Sequence, residues 1–141
     1  MKALQATLSL LLCIVLLVPG IFGKKQRVQV KGKLMCGDIP ANKVTVKLIE
    51  RDTIMDDTLA KAETGNDGSF HLDGTNEERE TIEPELKIYH RCLNKHLCKR
   101  RWVIKIPEKY ISSPDGPEKV FDIGTVNLEI NLEEDKKCLP A

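Results

Sequence analysis

Val120-Phe121-Asp122-Ile123-Gly124-Thr125-Val126-Asn127-Leu128-Glu129-Ile130-Asn131-Leu132 is the stretch that decides the fold class. Apolar residues fall on alternate positions, the period of a strand with one buried face. The phase changes once: Phe121 and Ile123 are odd-numbered, whereas Val126, Leu128, Ile130 and Leu132 are even. A one-residue slip turns every later side chain to the opposite face, so a bulge at Gly124 is expected to restore the inward phase.

The same alternation runs back through the chain, and no long segment carries apolar residues at helical spacing. Val28, Val30 and Leu34 share a phase between Arg27 and Cys36, and Val44, Val46 and Leu48 share one between Lys43 and Glu50. A weaker strand is expected over Thr58–Thr64. The turn Asn66-Asp67-Gly68 then forms a hairpin with Ser69–Leu72, Phe70 and Leu72 facing inward and His71 outward. The polar segment Thr75–Pro84 reads as a loop or one short helical turn, in which Thr75 and Glu78 have capping-box spacing. Strands resume over Glu85–Arg91, with Leu86, Ile88 and His90 in phase, and over Arg100–Ile106, with Trp102, Ile104 and Ile106 in phase. Pro107 to Lys119 is a loop. Seven short strands joined by turns predict an all-β fold, an antiparallel two-sheet β-sandwich.

The 141 residues suffice for one domain. Lys and Arg number 22 against 21 Asp and Glu, so the chain is not a general polycation and charge effects must be local. A charged fraction of 30% with 41% hydrophobic residues excludes a disordered chain and a multi-span membrane protein. Aromatic residues at 4% leave Val, Ile and Leu to build the core.

Residues 1–23 read as a secretory signal peptide: Lys2, an apolar run from Leu10 to Val18, then Pro19, Gly20 and Gly23. The run is short of the roughly 20 residues of a membrane-spanning helix, so no transmembrane anchor is expected. Cleavage after Gly20 or Gly23 fits equally, and residues 24–141 form the domain. Cys36, Cys92, Cys98 and Cys138 remain, an even number that fits two disulfides in a secreted, extracellular chain. Three pairings are possible. Strand geometry favours Cys92 with Cys98, clamping a hairpin, and Cys36 with Cys138, at the ends of a first and last strand that lie side by side in many sandwiches. An immunoglobulin framework is disfavoured, because the second strand has no cysteine. His90, Cys92, His96 and Cys98 have spacing that could hold zinc, but an oxidising compartment favours disulfides, and no metal or cofactor is expected.

Charge is uneven. From Leu86 to Pro107 stand Lys87, Arg91, Lys95, Lys99, Arg100, Arg101 and Lys105 with no acid. A functional reading makes Arg91, Lys95, Lys99, Arg100 and Arg101 a surface for anionic lipid, sulfated sugars or an acidic extracellular receptor. The bland reading is a solvated hairpin whose cations guard a sheet edge. Nucleic acid is not an expected partner, since Trp102 alternates inward and no row of stacking aromatics exists. Catalytic signatures such as G-x-S-x-G, H-E-x-x-H or a P-loop are missing from the sequence, so a binding protein is expected rather than an enzyme.

Read as motifs, V-K-G-K-L-M-C-G over Val30–Gly37, V-T-V-K-L over Val44–Leu48, T-G-N-D-G-S-F-H-L over Thr64–Leu72, L-K-I-Y-H-R-C over Leu86–Cys92 and F-D-I-G-T-V-N-L over Phe121–Leu128 resemble the nematode transthyretin-like family, in order and over nearly the whole mature chain. The resemblance implies a secreted, single-domain β-sandwich of the transthyretin (prealbumin-like) type, with extracellular roles such as bridging or ligand binding at cell surfaces. It implies a binding or adaptor protein joining an anionic cell surface to a receptor, with a small-ligand carrier as the alternative. Related hydroxyisourate hydrolases end in Y-R-G-S, whereas this chain ends Cys138-Leu139-Pro140-Ala141, which disfavours hydrolysis.

Overall fold

A computed structural model describes residues 23–93 and 99–130. Eight strands follow in order: β1 Lys24–Cys36, β2 Ile39–Pro40, β3 Thr45–Glu50, β4 Asp57–Glu63, β5 Ser69–Glu78, β6 Pro84–His90, β7 Arg100–Lys105 and β8 Val120–Asn127. They form two sheets. In one, β1 lies between antiparallel β5 and parallel β8, with the short β2 on its end; in the other the order is β4-β3-β6-β7. This is the expected all-β sandwich of transthyretin type.

The inward phases of the two sheets meet in one core. Val28, Val30 and Leu34 of β1, Phe70 and Leu72 of β5, Val46 and Leu48 of β3, Leu86 and Ile88 of β6, and Trp102 of β7 are all buried there. His71 points outward and is exposed, as the alternation requires. Trp102 is fully buried and meets His90 edge to face, ring centroids 5.4 Å apart. Each large aliphatic side chain in this layer contributes about 2–5 kcal/mol, the usual cost of truncating one to alanine.

The bulge in the last strand falls where the phase change requires it. Gln29 to Lys31 pair with Val120 to Asp122, Lys33 to Met35 pair with Thr125 to Asn127, and the register shifts between the two sets. Gly124 takes φ +69° there, a left-handed conformation that glycine adopts without steric penalty. Phe121, Ile123 and Val126 all reach the core.

Two expectations are corrected. Thr75 to Glu78 is strand, not loop, because Lys24 to Arg27 extend β1 far enough to pair with it; the capping-box match is fortuitous. Gly74 lies mid-strand where the sheets approach closely. A Cβ there would lie 2.7 Å from Leu59 Cβ. The Asp67-Gly68 turn exists, with Gly68 at φ +82°, but it joins β4 of one sheet to β5 of the other and makes no hairpin.

The favoured disulfide pairing is also corrected. Cys36 bonds to Cys92, Cα atoms 5.7 Å apart, in place of the Cys36–Cys138 and Cys92–Cys98 set. β1 and β8 do run side by side and parallel, as that set assumed. Parity decides the matter: Cys36 continues the even, inward phase of Val30 and Leu34, and Cys92 that of Ile88 and His90. Both sulfurs therefore point between the sheets at one pole, and the bond staples one sheet to the other. Closing a loop with a sequence separation of 56 stabilises the fold by about 4 kcal/mol in the chain-entropy model. Cys98, Cys138 and the expected signal peptide lie outside the described residues. No helix among the described residues is long and apolar enough to cross a membrane.

Candidate binding surfaces

The β6–β7 hairpin is built by antiparallel pairing of Glu85 with Lys105 through His90 with Arg100. Even residues face the core, so odd residues (Lys87 and Tyr89 on β6, Arg101, Val103 and Lys105 on β7) face outward. Of the five cations singled out in the sequence, the four that are described do not form one patch. Arg91 is exposed at the pole beyond β6, and Lys99 is half-buried at the start of β7. Arg100 falls opposite His90 on the inward phase, and its guanidinium donates to the Cys92 carbonyl at 3.0 Å. That contact holds the β7 start against the disulfide, so Arg100 positions this end of the fold. Arg101 belongs to the outward sheet face, opposite Tyr89. Lys95 lies outside the described residues.

The pole that carries the disulfide also exposes apolar side chains. Ile39 is paired with Cys36, Leu93 follows Cys92, and Ile130 ends a turn whose Leu128 N–H bonds to Met35. Their relative exposures are 70%, 67% and 53%. Arg91 and Lys99 flank Leu93 in sequence.

On the outward face of the β4-β3-β6-β7 sheet, register creates a feature that strand-by-strand reading misses. Lys61 pairs with Lys47, and Lys47 with Lys87, so three lysines stand in file across three adjacent strands; Val103 ends the row. Lys47 lies 5.2 Å from the centre of the Tyr89 ring, and Lys87 bonds to Asp56 at 3.0 Å. That contact holds the Asp56 carboxyl below its ordinary range. Among the described residues neither Lys47 nor Lys61 has a carboxylate within ion-pair distance. The outward phase of Lys47 is legible in V-T-V-K-L. Its alignment with Lys61 and Lys87 depends on pairing between distant strands.

The opposite pole is acidic. Glu50 of β3, Asp57 of β4 and Glu78 of β5 bring carboxylate oxygens within 4.8 Å of one another, and the Asn76 amide donates to Glu50 at 3.0 Å and to Glu78 at 3.3 Å. Glu50 is 4% exposed. Burial first, then the hydrogen bond and charge of Glu78 and the charges of Asp57 and Asp52, pushes its carboxyl up to about 7. An open cleft of about 530 Å³ adjoins it, lined by Glu50, Asp52, Glu78, Glu80 and Glu83 together with Arg51. The zinc reading loses one of its two thiols, because Cys92 is disulfide-bonded, and the buried His90 accepts a hydrogen bond from the Cys92 N–H on Nδ1; His96 and Cys98 lie outside the described residues.

Comparison with known proteins agrees with this architecture. The TTR-52 transthyretin-like family profile matches residues 31–107. Transthyretin-like protein 33 of Caenorhabditis elegans is 43% identical over 118 residues, covering 81% of this chain and 82% of that protein. Transthyretin-like protein 5 of the same organism is 36% identical over 137 residues, covering 94% and 98%. Transthyretin-like protein 46 is 38% identical over 120 residues, covering 82% and 67%. With the sandwich topology, the inward cysteine pair and these relatives in agreement, the chain belongs to the transthyretin-like family.

Proposed function

We propose that the protein is a secreted extracellular binding or adaptor protein, not an enzyme, and that its disulfide pole contacts an anionic cell surface while another face meets a protein receptor. The observation that carries this reading is the composition of the pole: exposed Ile39, Leu93 and Ile130 around a rigid disulfide, with Arg91 and Lys99 alongside. Apolar side chains clustered on an exposed end mark an interaction surface, and adjacent cations add about 1 kcal/mol each near an anionic bilayer. A small-ligand carrier needs an apolar cavity. The cleft of about 270 Å³ is of mixed character, lined by Arg51, Glu83, Glu85 and Lys105 as well as Ile82 and Ile106.

Co-flotation of the oxidised protein with phosphatidylcholine vesicles, with and without phosphatidylserine, tests the proposal at physiological salt. Phosphatidylserine-dependent flotation is expected, and replacing Arg91, Lys95 and Lys99 together with Ser should weaken it at least tenfold, from about 1 kcal/mol per cation. Arg100 is kept because it holds the pole together. Equal flotation of the folded triple variant overturns the assignment.

A further inference from the structure

We propose that the outward face of the β4-β3-β6-β7 sheet is a second binding site, for a linear sulfated polysaccharide lying along the Lys61–Lys47–Lys87 file. Like charges directly opposite each other across strands destabilise a sheet, yet here the arrangement occurs twice in succession. Of the three, only Lys87 has a carboxylate partner among the described residues, Asp56. The fold therefore holds an unbalanced line of positive charge about 10 Å long, two strand spacings.

The surroundings of the file select the shape of the ligand. Glu63 flanks it on one side, in the row of Thr45, Tyr89 and Arg101; on the other side, in the row of Ile49 and Lys105, Glu85 is buried and pairs with Arg51 at 3.7 Å. A planar anionic bilayer pressed on this face would meet the exposed Glu63 and Asp56 carboxylates as well as the lysines. A single anionic chain laid across the strands would follow the lysines and meet Asp56 only at the Lys87 end. Single-stranded nucleic acid is disfavoured, because Tyr89 is 5% exposed and Lys47 stands over its ring, leaving no aromatic face for a base. Sulfate groups on a polysaccharide supply repeated fixed charges without needing a stacking surface.

This site uses Lys47 and Lys61, which lie outside the β6–β7 hairpin, so it stands or falls independently of the bilayer-facing pole. The test is retention on immobilised heparin and binding of soluble heparin by the oxidised protein, with fully desulfated heparin and phosphatidylserine vesicles as comparison ligands. Lys47→Gln with Lys61→Gln should weaken heparin binding about tenfold, the sum of two solvent-screened ion pairs. The melting temperature of that variant should be equal to or above that of the parent, because the cross-strand repulsion is relieved. Glu63→Gln should strengthen binding. The control pair Lys25→Gln with Lys109→Gln, equal in charge change but off this face, should leave binding within about twofold, the small effect of screened distant charges. Unchanged binding in the Lys47 and Lys61 variant, an equal loss in the control pair, or binding that persists with desulfated heparin would each overturn the proposal. So would a lowered melting temperature accompanying the loss, since the lysines would then be structural. Vesicle binding lost with Lys47 and Lys61 while heparin binding stays would assign the face to lipid instead.

Discussion

The two sheets treat their outward faces differently. On the β5-β1-β8 sheet the polar groups neutralise one another: Arg27 makes a two-point contact with Asp73 at 2.9 and 2.6 Å, holding that carboxyl below its ordinary range. Gln29 is 2% exposed, donates to Glu118 at 2.8 Å and meets the His71 ring at 2.9 Å. The loop after β7 reaches over this sheet, with Ser112 pairing to Arg27. On the β4-β3-β6-β7 sheet like charges stand opposite each other and stay open. A face that satisfies itself serves the fold, whereas one that leaves charge unbalanced gains from a partner.

Breaking the joint between the sheets has the largest expected effect. Cys36→Ser or Cys92→Ser should each lower unfolding free energy by about 4 kcal/mol, measured by chemical denaturation under non-reducing conditions. Peptide mapping of the unreduced protein should recover the Cys36 and Cys92 peptides linked to each other.

The acidic pole responds next, through pH. Glu50 has its folded pKa raised to about 7, so the folded state binds a proton more tightly than the unfolded chain. Its contribution is complete below the unfolded carboxylate pKa and is lost as pH rises through about 7. Glu50→Gln should therefore raise stability above pH 7, by an amount on the order of 1–3 kcal/mol, and flatten the decline between pH 4.5 and 7.5 in thermal melts. Asp73 and Asp56, held low by Arg27 and Lys87, act in the opposite sense and lose their contributions as pH falls through the carboxylate range.

The contrast between the faces sharpens with smaller changes. Gln29→Ala removes the buried amide that joins the exposed His71 and Glu118 side chains and should cost about 1 kcal/mol, the net worth of an ordinary hydrogen bond. Lys61→Glu on the other sheet should stabilise by a few tenths of a kcal/mol, by replacing a repulsive cross-strand pair with an attractive one. Denaturant midpoints that move in opposite directions for these two variants would support the division between a self-satisfied and an open face. Destabilisation by both would refute it.

Much of this was legible in the chain. The inward phases of β1, β3, β6 and β7, the buried Trp102 and the bulge at Gly124 all follow from alternation, which each strand states within its own residues. The strand over Thr75–Glu78 was not legible, because its partners Lys24 to Arg27 lie some fifty residues earlier and its own composition is polar. Parity of Cys36 and Cys92 was a readable sign of an inward pair, but parity gives a direction and not a distance. The cations of the hairpin were readable as a run, yet the fold divides them between a pole and a sheet face.

By itself, then, the sequence determined the fold class, the residues of the core and the place of the bulge. Side-chain phase is a local property of an extended backbone, set by each residue's neighbours. Only the tertiary structure decided which cysteines meet, that the Asp67-Gly68 turn crosses between sheets, and that Lys61, Lys47 and Lys87 stand in file. These are relations of register between strands distant in the chain. They are fixed when the two sheets close on a common core, and no single segment contains them.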